Sequence, residues 1–83
     1  MDMTAQELRG IIGENIKSRR RALDMTQVEL AEATGLTQAS IAFIENGRNS
    51  PQIDTLAKIA VALRVQPDML LREGSYSEVE KVA

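Results

Sequence analysis

The chain predicts an all-α fold, and three observations carry that reading. Apolar residues recur three and four positions apart in several separate stretches, the spacing that lines one face of a helix. Between those stretches, helix starts and stops are marked by Thr-x-x-Glu capping boxes and by Gly. With one Phe, one Tyr and no alternating apolar run, no segment reads as a strand. At 83 residues there is room for one small domain. It is placed at 1–73, with its core at 11–71, and residues 74–83 read as a polar tail.

Five helices are expected in order. The first three residues should fray. Thr4 and Glu7 open the first helix, which runs to about residue 23 with Leu8, Ile11 or Ile12, Ile16 and Leu23 on its apolar face. Gly10 and Gly13 each cost about 1 kcal/mol against Ala in a helix, so they mark either a kink or the close approach of another backbone. Thr26 and Glu29 cap a second, shorter helix whose apolar positions are Val28, Leu30 and Ala31, and Thr34-Gly35 stops it. Thr37 is the N-cap of a third. Its inner stripe is Ile41 and Ile44, with Leu36 just ahead, which leaves Gln38, Ala39, Ala42 and Phe43 on the other side. Asn46-Gly47 ends it. Ile53, Leu56, Ile59, Ala60 and Leu63 define a fourth helix at 53–63. Pro67 suits the first position of a fifth, with Asp68 at the positive end of its dipole. Met69, Leu70 and Leu71 make that last segment more apolar than one buried face requires; it reads as core, as a dimer seam, or as both.

Composition excludes several classes. Cys and His are both absent, so a disulfide framework, a thiolate or zinc site and a His-based catalytic group have no residues to build them. Neither enzyme activity nor a metal or cofactor is expected. No stretch approaches a membrane span and the start is not a signal peptide, which points to a soluble, cytoplasmic protein. Ten basic against twelve acidic residues give a net charge of −2, low for a nucleic-acid binder. The distribution is uneven, however. Lys17, Arg19, Arg20 and Arg21 cluster without an acid among them, Arg48 follows the third helix, and Glu73, Glu78 and Glu80 collect near the end. A locally basic face on an acidic body is compatible with DNA binding.

Residues 26–51 hold the informative pattern: two short helices joined by a Gly-containing turn, the second with a small-and-polar outer face. That is the pattern of a DNA-reading helix-turn-helix, although spacing alone also fits a plain helical hairpin. Arg20 stands six before Thr26-Gln27. Glu29-Leu30-Ala31, Gly35, Ser40-Ile41, Ile44-Glu45-Asn46-Gly47, Pro51, Leu56 and Ile59-Ala60 follow at set spacings. On these residues the stretch 11–71 resembles the lambda-repressor-like, or XRE-type, family of phage repressors and Cro proteins. The resemblance implies a compact five-helix bundle whose second and third helices form the helix-turn-helix.

It also implies roles. Gln27 would touch a phosphate and brace the reading helix. Gln38 would take the first reading position, where an amide can pair with adenine N6 and N7. Ser40 and Thr37 would reach phosphate, and Asn46, Gly47, Arg48 and Asn49 would lie along the backbone. Arg20 has two readings, a phosphate contact or an ion pair with Glu45. Of the basic cluster, Lys17 or Arg19 would meet phosphate and Arg21 would not, since successive residues turn about 100°. Ala39, Ala42 and Phe43 depart from a polar reading face; they suit thymine methyl groups, with core as the alternative for Phe43.

Together these readings describe a sequence-specific regulator of transcription, of repressor or controller type. Its partners would be double-stranded, palindromic operator DNA and a second copy of the chain, with Met69, Leu70 and Leu71 at the dimer seam. The rival settings are an antitoxin bound to a toxin, and a protein-docking module that ignores DNA.

Overall fold

A computed structural model describes residues 2–76; the expected tail beyond Tyr76 lies outside the described residues. The elements are α1 (Ala5–Ala22), α2 (Gln27–Thr34), α3 (Gln38–Glu45), α4 (Ile53–Leu63) and a closing 3-10 turn (Pro67–Leu71). Among the described residues there is no strand.

Both capping boxes form. Thr4 Oγ1 accepts from the Glu7 N–H at 3.0 Å while the Thr4 N–H donates to Glu7 Oε1 at 2.9 Å, and Thr26 and Glu29 repeat the pattern at 3.0 and 2.8 Å. The Thr4 backbone, and then its hydroxyl, hold the Glu7 carboxyl below its ordinary value. The four α-helices also end alike. In each, a left-handed residue stands at the C-cap or just after it: Asp24 at φ 56°, Gly35 at 73°, Gly47 at 74° and Arg64 at 60°. The next N–H then reaches back five residues: Met25 to Arg20 O at 3.1 Å, Leu36 to Ala31 O at 3.0 Å, Arg48 to Phe43 O at 2.9 Å and Val65 to Ala60 O at 3.0 Å. This Schellman closure satisfies carbonyls that a helix end leaves open.

One core joins all the elements. Ile12 and Ile16 of α1 meet Leu30 and Ala31 of α2, Ile41 and Ile44 of α3, Leu56, Ile59, Ala60 and Leu63 of α4, and Leu70. Ile12, and not Ile11, is the buried member of its pair. Two residues assigned to apolar faces stand outside it: Val28 is 48 % exposed and Ile53 is 79 % exposed. Val28 lies about 160° around α2 from fully buried Leu30, and Ile53 is the first residue of α4, at the edge of its buried arc.

Gly13 marks a close approach. A Cβ there would collide with the carbonyl oxygen of Ile44 and lie 2.6 Å from that of Glu45, so α1 can take the end of α3 against its backbone only at a glycine. The fifth helix is corrected to a 3-10 turn. The five residues Pro67–Leu71 are too few for successive four-residue bonds before Arg72 turns extended at φ −95°, ψ 129°. Its carbonyls are taken by a side chain instead. Buried Asn15 of α1 donates from Nδ2 to Leu70 O at 2.8 Å and to Arg72 O at 2.7 Å. Asn15 was not singled out from the sequence, where a lone amide within a helical run gives no signal.

Candidate nucleic-acid interface

The helix-turn-helix is assembled from the core outward. Leu30, Ala31, Ile41 and Ile44 anchor α2 and α3, and Thr34 is buried between them with its hydroxyl donating to Leu30 O at 2.8 Å. Gly35 turns the chain, and Thr37 caps α3 by accepting the Ser40 N–H at 3.1 Å. Its hydroxyl also donates to Ser40 Oγ at 3.1 Å, so the two hydroxyls sit together at the start of the helix. The inner face of α3 is Ile41, Ile44 and Glu45. On its outer face Gln38 and Ala39 are exposed, Ala42 is half-buried and Phe43 is 45 % exposed. Phe43 is therefore off the core.

A chain of hydrogen bonds runs from the interior to this face. Arg20 forks onto Glu45, Nε to Oε2 at 2.6 Å and Nη2 to Oε1 at 3.0 Å, with Nη1 on Met25 O at 2.8 Å. Both side chains are buried. The Glu45 bonds hold the Arg20 guanidinium above its ordinary pKa, against the opposing effect of burial. Gln27 Nε2 donates to Glu45 Oε1 at 3.1 Å, and Gln38 Nε2 donates to Gln27 Oε1 at 3.2 Å. Each amide thereby has its orientation set by the one beneath it. Gln38 keeps an oxygen acceptor and one N–H for the outside, the pair that matches N6 and N7 of adenine.

The loop after α3 presents Asn46, Arg48 and Asn49, all exposed. It is held against α1 at Gly47, where a Cβ would lie 3.3 Å from Gly10 Cα, and by Arg9 Nη1 donating to Ser50 Oγ at 3.4 Å.

Two groups of assigned residues sit elsewhere. Arg19 donates from Nε to Leu63 O at 2.9 Å and its guanidinium carbon lies 5.8 Å from the Tyr76 ring centre, at the C-terminal end of α4. Lys17 is half-buried on α1. Leu70 is fully buried and cannot belong to a dimer seam; Met69 is half-buried and Leu71 is 41 % exposed. The surplus apolar content of that segment is explained by a core role for Leu70, because a 3-10 turn distributes three consecutive residues around its axis.

Among the described residues no cluster of carboxylates could hold a metal ion, and no helix is long and apolar enough to cross a membrane.

A capped helix presented on the outside of a helical bundle, with an oriented amide at its tip, is the geometry of a DNA-binding helix-turn-helix. Comparison with known proteins agrees. A helix-turn-helix family model matches residues 16–70. The control protein C.SmaI of Serratia marcescens is 31 % identical over 78 residues, covering 93 % of each chain. The immunity repressor of Bacillus phage phi105 is 34 % identical over 70 residues, 84 % of this chain, which spans about half (49 %) of that repressor's length. Among solved structures, the DNA-binding domain of the P22 c2 repressor aligns with a TM-score of 0.73 and 31 % identity over 81 % of this chain and 87 % of its own. The restriction-modification controller protein C.AhdI from Aeromonas hydrophila aligns with a TM-score of 0.72 and 26 % identity, covering 75 % and 94 %. The chain belongs to the lambda-repressor-like helix-turn-helix family.

Proposed function

We propose that the chain binds an operator as a homodimer, with α3 of each copy in the major groove. The observation that carries this reading is the bonded series Arg20–Glu45–Gln27–Gln38, which fixes the donor–acceptor pair of Gln38 before any DNA arrives. Gln38 reads adenine, and Ala39, Ala42 and Phe43 lie against thymine methyl groups. Thr37, Ser40 and Gln27 meet phosphate at the helix starts, where backbone N–H groups point outward. Asn46, Arg48 and Asn49 follow the backbone, as does Lys17. Two copies related by a two-fold axis would read half-sites about 34 Å apart in opposite orientations, as an inverted repeat.

The controller type of regulator is favoured by the alignment with C.SmaI over nearly the full length of both chains. With a net charge of −2, affinity for unrelated DNA should be low.

Fluorescence anisotropy on the duplex upstream of the gene, beside a scrambled duplex, tests the reading over a salt series. The expected result is site-dependent binding whose log K falls with log salt by about 0.9 per phosphate contacted. Equal, weak binding to both duplexes would overturn sequence-specific recognition at that site.

A further inference from the structure

The first half of α1 carries a cation that the reading above does not use. Arg9 lies outside the stretch shared with the helix-turn-helix family, which begins at residue 16. Its guanidinium nevertheless reaches the loop after α3, where Nη1 donates to Ser50 Oγ at 3.4 Å. Helix and loop touch at this point: a Cβ on Gly47 would lie 3.3 Å from Gly10 Cα and 3.8 Å from the Arg9 carbonyl carbon. The Arg9 side chain is half-buried, lining a hollow with Leu8, Pro51 and Leu56, so its stem rests on apolar surface while its head stays at the rim. Among the described residues no carboxylate pairs with it. A guanidinium has five N–H donors in a flat fork, and Ser50 takes only one of them. Ser50 is exposed and accepts that bond, which leaves its own hydroxyl hydrogen to donate outward.

We propose that Arg9 and Ser50 together form a phosphodiester site, the guanidinium fork and the hydroxyl donating to one backbone phosphate beyond those met by Asn46, Arg48 and Asn49. The inference rests on the operator-binding reading above and adds a contact from a part of the chain that the family model does not cover. The chemistry suits the ligand. A planar fork matches two oxygens of one phosphate, and a neutral hydroxyl beside it supplies a further donor without adding charge. The fork is also set in advance, because Ser50 holds one of its arms and the hollow holds its stem. Such a contact carries no base information; it fixes the angle at which α1, and with it α3, lies on the duplex. In a chain of net charge −2, with Arg20 committed to Glu45, one more cation beside the loop weighs in the affinity for every duplex.

The test is a salt series of fluorescence anisotropy on the duplex upstream of the gene and on its scrambled counterpart, with circular dichroism to show that each variant is folded. Arg9→Gln should weaken binding to both duplexes alike, by about tenfold, and reduce the slope of log K against log salt by about 0.9. Arg64→Gln is the control, an exposed arginine at the C-cap of α4, the end away from the loop; its slope should match the wild type's. Ser50→Ala should lose affinity and keep the slope, because the hydroxyl carries no charge. Neutral methylphosphonates placed one at a time along the upstream duplex then locate the contact. One position in each half-site should weaken the wild type and leave Arg9→Gln unaffected. A slope unchanged in Arg9→Gln, an equal fall in Arg64→Gln, or identical methylphosphonate profiles would overturn this site while leaving operator binding standing. A wild type that binds both duplexes equally and weakly would overturn the operator reading, and the site with it.

Discussion

Glu45 accepts from three donors on two other elements: Arg20 Nε and Nη2 on α1 and Gln27 Nε2 on α2. Removing its carboxylate would leave a buried guanidinium without its counter-charge, a loss of about 3–5 kcal/mol. Glu45→Ala is therefore expected to lower the unfolding free energy, measured by denaturant titration, by that amount; a change of a few tenths of a kcal/mol would contradict the buried pair. Because the Arg20 pKa is raised, its contribution is complete below the ordinary arginine value and is lost only as pH rises through the elevated one. Little of the pair was legible from spacing, since Arg20 and Glu45 are 25 positions apart and nothing local links them. The family resemblance proposed the pairing. Asn15 had no such aid: its bonds to Leu70 O and Arg72 O exist only once α1 and the closing turn are packed.

At the scale of elements, the fit of α1 to the end of α3 depends on which glycine faces the neighbour. A Cβ on Gly13 meets the carbonyls of Ile44 and Glu45, whereas one on Gly10 meets nothing within 4 Å. Gly10→Ala should stabilise the protein by up to about 1 kcal/mol through helix propensity. Gly13→Ala gains the same propensity but forces two helices apart, and should destabilise by about 1–3 kcal/mol net. Thermal unfolding of the pair checks this, and equal effects would show that the helices do not touch at Gly13. The sequence offered both glycines with a kink or a close approach as alternatives; only packing distinguishes them. Helix starts were legible because capping boxes are local. Ends were legible at Gly35 and Gly47, but Asp24 and Arg64 adopt the same left-handed turn without a glycine to announce it. The last segment failed as an α-helix for a related reason. Its outcome depends on Asn15, far away in sequence.

For the whole molecule, the −2 charge and the basic cluster were read together from composition, but the cluster does not act as one face. Arg20 turns inward onto Glu45, while Arg19 donates to Leu63 O at the end of α4. Specificity should then depend on base edges more than on total charge. The dimer was expected at residues 69–71, and the burial of Leu70 removes the centre of that seam. Leu70→Glu would accordingly unfold the domain before it separated two copies.

In the proposed function, α3 reads bases through a Gln38 whose amide is oriented from below by Gln27. Selection of binding sites from a random duplex pool, run on the wild type and on Gln38→Ala, tests it directly. The wild type should enrich an inverted repeat with centres about 34 Å apart. The Gln38→Ala pool should lose preference at a single A·T pair in each half-site, a discrimination of about 1–3 kcal/mol, and keep the rest. Identical sites from both pools, or no enriched site from the wild type, would contradict the account.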